Sequence, residues 1–367
     1  FALIGDAKES KEKEDPDDEK IADIGIKMVN DLNKKYGTTR FFFVFRKRFF
    51  NESEGKWLGW ERKRGAIVRF NDFLVNKLSH DYKIVSEGFN TLPKIKYVLT
   101  VDADTFIPSG AVKKLVGAMA HPLNEPVLNE RKTAVVDGYG LIQPRIGIDI
   151  ESSNKSKFSK IFANSGGIDP YSCASSDIYQ DLFGEAIFTG KGIYDLETFR
   201  QVLHKSIPEN TVLSHDLLEG SYLRVGLATD IELIDGYPAR YNSYAMRMHR
   251  WVRGDWQILP WLRKKVKNSE NKLEDNPINN ISKWKIFDNL RRSTISIFLL
   301  IGILLSFSIF PGSALWWTAL FIICGIRGNK KQFVCQLAFL AFNGWLMLKA
   351  VWTTLFRMLI SKRNFLE

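Results

Sequence analysis

From Thr294 to Ile326 the chain reads TISIFLLIGILLSFSIFPGSALWWTALFIICGI without a single charge. From Gln332 to Ile360 it reads QFVCQLAFLAFNGWLMLKAVWTTLFRMLI, with only Lys349 and Arg357 charged. A helix that crosses a bilayer needs about 20 apolar residues. The first run is long enough for one broken span or two short ones around Pro311-Gly312, and the second for one more. Two buried core helices are the alternative, but soluble helices seldom extend this far without a charge. An integral membrane protein is expected, and the position of both runs toward the C-terminus argues against a signal peptide.

The remaining composition is that of an ordinary folded protein. Of 367 residues 45% are hydrophobic and 13% aromatic, which excludes a disordered or collagen-like chain. Cys173, Cys324 and Cys335 show no CxxC spacing and the five histidines form no HExxH pattern, so neither a disulfide scaffold nor a zinc site is indicated. The formal charge of +11 is concentrated beside the apolar runs, at Arg263-Lys264-Lys265, Lys267, Arg291-Arg292, Arg327, Lys330-Lys331 and Lys362-Arg363. That is the positive-inside pattern of a cytoplasmic membrane face. Anionic lipid and a phosphate-bearing substrate explain it better than nucleic acid, for which there is no motif.

Three parts follow from these contrasts: a polar domain over residues 1–262, a basic juxtamembrane connector over 263–293 and membrane helices over 294–367. Within the polar part, Phe1 to Asp6 is an apolar run that stops at an acid, as strands do when they deliver one to a sheet's carboxyl edge. Lys8 to Lys20, with mixed charges, reads as a solvated loop. Ile21 to Leu32 has helical spacing, and Arg40 to Phe45 reads as a second strand. In KWLGWERKRGAIVRFN (Lys56 to Asn71), Arg62, Lys63 and Arg64 precede a helical run opened by Gly65. Cations at a helix N-terminus suit a diphosphate; a solvated basic helix end is the plain alternative.

The third strand, Ile95 to Val101, runs into Asp102-Ala103-Asp104, with a helix expected over Ser109 to Met119. Two carboxylates one residue apart at a strand's end can hold Mg²⁺ or Mn²⁺ while leaving positions for diphosphate oxygens; a structural turn or helix cap is the competing reading. Val135 to Pro144 is another candidate strand. Phe183 to Asp195 (FGEAIFTGKGIYD) sets Gly184, Gly190 and Gly192 around Glu185 and Lys191, which suits a pocket wall or simply a tight hairpin. Ser214-His215-Asp216 precedes a helix-like stretch; consecutive residues cannot form a hydrolase triad, but Asp216 can act as a general base or as a helix cap. Last, Arg247 to Gln257 mixes cations with Trp251 and Trp256, which suits either a glycosyl-diphosphate pocket or an interfacial belt.

Taken in order, Asp6, Asp102-Ala103-Asp104, Ser214-His215-Asp216 and Arg250-Trp251 before apolar helices resemble the D, DxD, TED and QxxRW series of membrane-bound, family-2-like inverting glycosyltransferases. Ser-His-Asp stands for Thr-Glu-Asp, and Arg247 occupies the Gln position. The wording of KWLGWERKRG, GYGLIQPR, FGEAIFTGKGIYD, LSHDLLEG and HRWVRGDWQ is similar to the glycosyltransferase part of cyclic β-1,2-glucan synthases, glycosyltransferase family 84. The resemblance implies a Rossmann-like GT-A domain, possession of further domains elsewhere in the polypeptide and a start after the fold's first strand. It also implies a bacterial inner-membrane location with the catalytic domain in the cytoplasm. By the same resemblance, UDP-glucose is the donor, a β-1,2-glucan the acceptor and Mg²⁺ or Mn²⁺ the cofactor. On that basis Asp104 would hold the metal, with Asp102 on the same ion or facing the ribose of the substrate, and Asp216 would be the catalytic base. Asp6, Arg62, Lys63, Arg64, Arg250 and Arg253 would contact the nucleotide, and Trp251 the acceptor, with Glu185 and Lys191 in the pocket wall. His215 or His249 could add a metal ligand, though a neutral hydrogen-bonding role is the simpler one. Synthesis of another polysaccharide and a noncatalytic membrane scaffold are the alternatives.

Overall fold

The computed structural model describes residues 1–77, 80–163, 177–326 and 328–366. Cys173 and Arg327 lie outside the described residues. The chain opens with β1 (Ala2–Gly5), which stops one residue before Asp6, and α1 (Pro16–Tyr36). β2 (Phe42–Arg46), the hairpin of β3 (Phe49–Asn51) and β4 (Lys56–Leu58), α2 (Arg62–Asn76) and β5 (Tyr82–Val85) complete the first layer. β6 (Tyr97–Thr100), α3 (Ala111–Met119), β7 (Val127–Leu128), β8 (Val135–Asp137) and β9 (Leu141–Ile148) come next. They are followed by α4 (Ile150–Asn154), α5 (Lys157–Phe162), α6 (Ile178–Phe183), β10 (Gly192–Asp195) and α7 (Leu196–Leu203). α8 (Asp216–Leu223), β11 (Val225–Asp235) and α9 (Tyr241–Gln257) end the polar half.

Local chemistry explains several boundaries. Asp15 caps α1, Asp18 closes the capping box, Pro16 sits in its first turn and Gly37 ends it in the left-handed region. The helix therefore starts inside the segment read as a solvated loop. Asp18 is buried because Arg48 reaches it, with Nη2 donating to Oδ1 at 2.8 Å. Gly65 does not open α2 but lies in its second turn, where a Cβ would overlap the carbonyl of Trp60. The hairpin β3–β4 has no alternating pattern strong enough to single it out from sequence.

The class is mixed α/β. One sheet has the order β1-β2-β5, with β1 parallel and β5 antiparallel to β2. A four-stranded sheet has the order β11-β9-β10-β6, with only β11 and β9 parallel, and β3-β4, β7-β8 and the later strands Lys265–Lys267 and Leu273–Asp275 pair by themselves. RFFFVF places Phe43, Val44 and Phe45 at or below 2% exposure in the middle of the first sheet. A shared core of Phe42, Phe73, Tyr194, Leu218 and Leu223 joins the helices between the sheets.

The segment 263–293 is not a free linker. It forms β12 (Lys265–Lys267), β13 (Leu273–Asp275) and the first turns of α10 (Asn280–Ser306), and its Val266, Ile278, Ile286 and Leu290 enter the same core as Leu218. The long helix thus begins well before the charge-free run. After it come α11 (Ala314–Gly325), α12 (Lys330–Ala338) and α13 (Leu340–Phe356). α10 is long and apolar enough to cross a membrane; α12 with the helical stretch to Ser361 qualifies only as a pair bent by 63°. α11, at 12 residues, spans about 18 Å and falls short of a bilayer core of about 30 Å. Phe298, Leu304, Trp316, Ile323 and Trp352 are exposed, so these helices turn large apolar side chains outward.

Candidate active site

Strand ends and one helix start build the site. β1 delivers Asp6, β6 delivers Asp102, and α2 begins with Arg62 and Lys63 between them. Arg46, buried at the end of β2, fixes this junction: its Nη1 donates to Asp6 Oδ2 at 3.0 Å and to the Arg62 carbonyl at 2.9 Å, and its Nη2 to the Trp60 carbonyl at 2.5 Å. Glu61 and Arg62 both take positive φ, 53° and 50°, in residues that carry a Cβ. Such strain persists where surrounding bonds over-determine it and gathers at functional sites. Here the bonds of Arg46 and those of buried Glu61, which accepts from Arg64 and from the Asn210 backbone, provide that constraint.

Arg62 and Lys63 then diverge. Arg62 pairs with Glu9 at 2.5 Å and, with Asp6, Lys8, Lys56 and Gly59, lines a cleft of about 530 Å³. Loss of water around the Asp6 carboxyl raises its pKa although Arg46 pulls the other way. Lys63 reaches the other side, with Nζ 2.6 Å from Asp102 Oδ1 and 3.5 Å from the Gly190 carbonyl.

The glycine-rich segment before β10 closes the cluster. Lys191 Nζ lies 2.9 Å from Asp102 Oδ2 and 2.7 Å from Asp235 Oδ2, and Thr105 Oγ1 donates to Asp235 Oδ1 at 2.8 Å. Burial alone would raise the Asp102 pKa, but Lys63 and Lys191 outweigh it and hold the carboxyl below its ordinary value. Burial likewise disfavours the Lys191 charge, and Asp235 and Asp102 reverse that. Gly190 has φ +90°, and a Cβ there would stand 2.9 Å from both oxygens of Asp216. Glycine lets the backbone approach that carboxylate.

Asp216 is the first residue of α8, not its cap: His215 holds the cap position. Its Oδ1 is buried and without a hydrogen-bond partner among the described residues. Beside it, His215 Nδ1 lies 2.9 Å from Glu219 Oε2 one turn on. Burial would lower the His215 pKa, but Glu219 and Asp216 together raise it, so the ring is held toward its charged form. The three side chains place their ligand atoms within 4.8 Å of one another, with His215 and Glu219 as an ion pair.

Asp104 is exposed and makes no ion pair or hydrogen bond among the described residues, while both Asp102 oxygens face ammonium groups. Both are hard oxygen donors of the kind that hold Mg²⁺ or Mn²⁺, but Lys63 and Lys191 occupy the two Asp102 oxygens and leave only Asp104 open.

Of the residues selected from sequence, Lys63, Asp102, Lys191 and Asp216 converge, and Asp6 and Arg62 share the neighbouring cleft. Others do not join them. Arg64 is buried against Glu61. Glu185 is buried against Lys285 at 3.0 Å and Asn279 at 3.0 Å, where it anchors α10 and does not face the cluster's lysines. Arg250 is exposed on α9, Trp251 lies under the Arg247 guanidinium at 5.3 Å, and buried Arg253 donates to the Phe365 carbonyl at 3.4 Å. Burial, then Arg253, Lys349 and Arg357, lower the His249 pKa, which favours its neutral ring. Asp235, Thr105, Arg46 and Glu219 were missed. Asp235 carried the same signal as Asp6 and Asp102, an apolar strand ending in an acid, and Glu219 stands four residues after His215, one helical turn.

No family model matches the sequence. Among curated proteins, cyclic beta-(1,2)-glucan synthase NdvB of Rhizobium meliloti is 38% identical over 404 aligned residues that take in the whole of this chain. The chain is a relative of one segment of that glucan synthase. It spans 14% of the length of NdvB, so the likeness concerns this segment and leaves most of the larger protein without a counterpart here.

Proposed function

We propose that the chain is a glucosyltransferase that moves glucose from UDP-glucose to a growing β-1,2-glucan, with inversion, as a GT-A-type module of a larger synthase at the inner membrane. The observation that carries this reading is the Asp216 carboxylate against Gly190, one residue from the lysine that holds Asp102: its buried Oδ1 has no hydrogen bond among the described residues and faces the His215 ring at 3.7 Å. A base needs a free lone pair beside the reacting hydroxyl. The cations around Asp102 suit the leaving diphosphate.

In this scheme Asp6 and Arg62 hold the nucleoside end in the cleft, and Lys63 takes the diphosphate. Asp216 accepts the proton of the acceptor 2-hydroxyl as that oxygen bonds to the anomeric carbon. The bond from that carbon to the diphosphate oxygen breaks, and its electron pair leaves with UDP. Attack opposite the leaving group turns an α-linked donor into a β-linked product. Mg²⁺ or Mn²⁺ on Asp104 would supply further charge neutralisation at the diphosphate. The outward apolar faces of α10 to α13, with basic residues at their ends, support a bilayer around them and a cytoplasmic catalytic half.

Incubation with UDP-glucose and either metal, followed by mass spectrometry and linkage analysis, tests donor and product together. Asp216→Asn is expected to lower transfer by about 10²- to 10⁴-fold while UDP binding persists. A product without β-1,2 linkages, or an Asp216→Asn variant with near-normal turnover, would overturn the assignment.

A further inference from the structure

Gln257, at the last turn of α9, is 3% exposed, and both ends of its amide are engaged. Its Oε1 accepts from the Leu213 backbone at 2.6 Å, and its Nε2 donates to the Phe365 carbonyl at 2.7 Å. Leu213 is three residues before Asp216, in the short segment that leads into α8. One turn earlier on the same face of α9, Gly254 lies so close to Ser214 that a Cβ would overlap its side chain. The loop before Asp216 is therefore pressed onto α9 at Gly254 and tied to it at Gln257.

The second partner leads to the apolar helices. Phe365 belongs to the stretch after α13 and its π-helical end, which returns to the polar half: Asn364 N donates to the Ser53 carbonyl at 3.1 Å and Leu366 N to Glu54 Oε1 at 2.9 Å. α9 also packs on α13 through Ala245, Val252, Met347 and Ala350. One buried amide thus joins the loop of the candidate base to the segment that emerges from the last apolar helix.

We propose that Gln257 is a positioning residue for Asp216: it sets the loop that carries the carboxylate and makes its placement depend on the docked 362–366 segment. This rests on the reading of Asp216 as the base. The primary amide is suited to the task because it offers an acceptor and a donor on one rigid plane. Displacing a reacting group by about 1 Å can cost about 100-fold in rate.

The test compares Gln257→Met, Gln257→Glu and Asp216→Asn in the full chain, with kcat and KM for UDP-glucose and UDP affinity by calorimetry. Gln257→Met is expected to lower kcat by about 10- to 100-fold, with KM and UDP affinity within about threefold of the unsubstituted chain. Gln257→Glu keeps an acceptor for Leu213 but, ionised, opposes the Phe365 carbonyl and draws away Arg253, the cation that donates to that carbonyl at 3.4 Å; protonated, it restores both bonds. Its kcat relative to the unsubstituted chain should therefore rise as pH falls from 8 toward 5, which is also the decisive readout where Gln257→Met fails to fold. A Gln257→Met kcat within twofold of normal, a parallel fall of kcat and UDP affinity, or a pH-independent ratio for Gln257→Glu would overturn the proposal. If Asp216→Asn is inactive and Gln257→Met normal, only the role of Gln257 falls. If Asp216→Asn stays active, the base assignment falls and the positioning role with it.

Discussion

Replacing Lys191 by Met tests whether one ammonium holds the centre of the site together. Lys191 is a buried bridge between Asp102 and Asp235, at 2.9 and 2.7 Å. Without it, carboxylate oxygens face one another within about 6 Å, and at an effective dielectric constant of about 20 two unit charges at that distance repel by about 3 kcal/mol. The Asp102 side chain is 36% exposed, so solvent screening reduces this to about 2 kcal/mol. Asp235, only 2% exposed, also keeps Thr105 as a donor but loses its charged partner, adding about 1–3 kcal/mol. A total near 3–5 kcal/mol matches the usual cost of removing one member of a buried ion pair. The pH dependence has a defined sign. In the native chain the lysines hold Asp102 below its ordinary pKa, so its contribution is present above about pH 4 and disappears as pH falls through the lowered value. In Lys191→Met that support is weakened, the carboxyl protonates more readily, and the deficit relative to the native chain should shrink as pH falls from 8 toward 4.5. Urea unfolding followed by tryptophan fluorescence at several pH values measures it, and Lys191→Met/Asp235→Asn should recover much of the loss. A deficit below 1 kcal/mol at pH 8, or one that does not change with pH, would refute this account of the site.

Two further outcomes follow from buried charges outside the cluster. Burial raises the Asp255 carboxyl to about 7, although Asn289 and Arg292 favour its charged form, so the folded state holds a proton that the unfolded state releases near pH 4. Stability should therefore fall as pH rises from about 4 to 7, by up to about 4 kcal/mol, and Asp255→Asn should flatten that slope in a thermal-melt series. Glu185→Gln or Lys285→Met alone should each destabilise by about 3–5 kcal/mol, whereas Glu185→Leu/Lys285→Met should come within about 1–2 kcal/mol of the native chain, as buried ion pairs replaced whole by apolar groups do; denaturant midpoints decide between a paired and an independent role.

Much of the local structure was legible in the order of residues. The strands leading to Asp6 and Asp102 and the helix expected over 109–119, observed over 111–119, follow from apolar runs closed by acids or turns, because burial and backbone pairing act over a few neighbouring positions. The two apolar runs and their basic flanks were equally plain, although the true start of α10 at Asn280 was hidden: Lys285 and Asp288 look like linker charges until their partners are known.

What the sequence could not contain was the choice of partner for each charge. Arg62, Lys63 and Arg64 are consecutive and chemically alike, yet one lines a cleft, one reaches Asp102 and one is buried on Glu61, because a helix turns each about 100° from the last. Glu185 and Lys191 stand in one glycine-rich segment, but the first serves α10 and the second serves Asp102. Residue types and their order determined which chemistries the chain can offer, along with its polar and apolar halves. Only the tertiary structure decided which side chains meet, since the contacts of Lys191 with Asp102 and Asp235, and the approach of Gly190 to Asp216, join positions far apart in the chain and depend on how the sheet edges and α8 pack together.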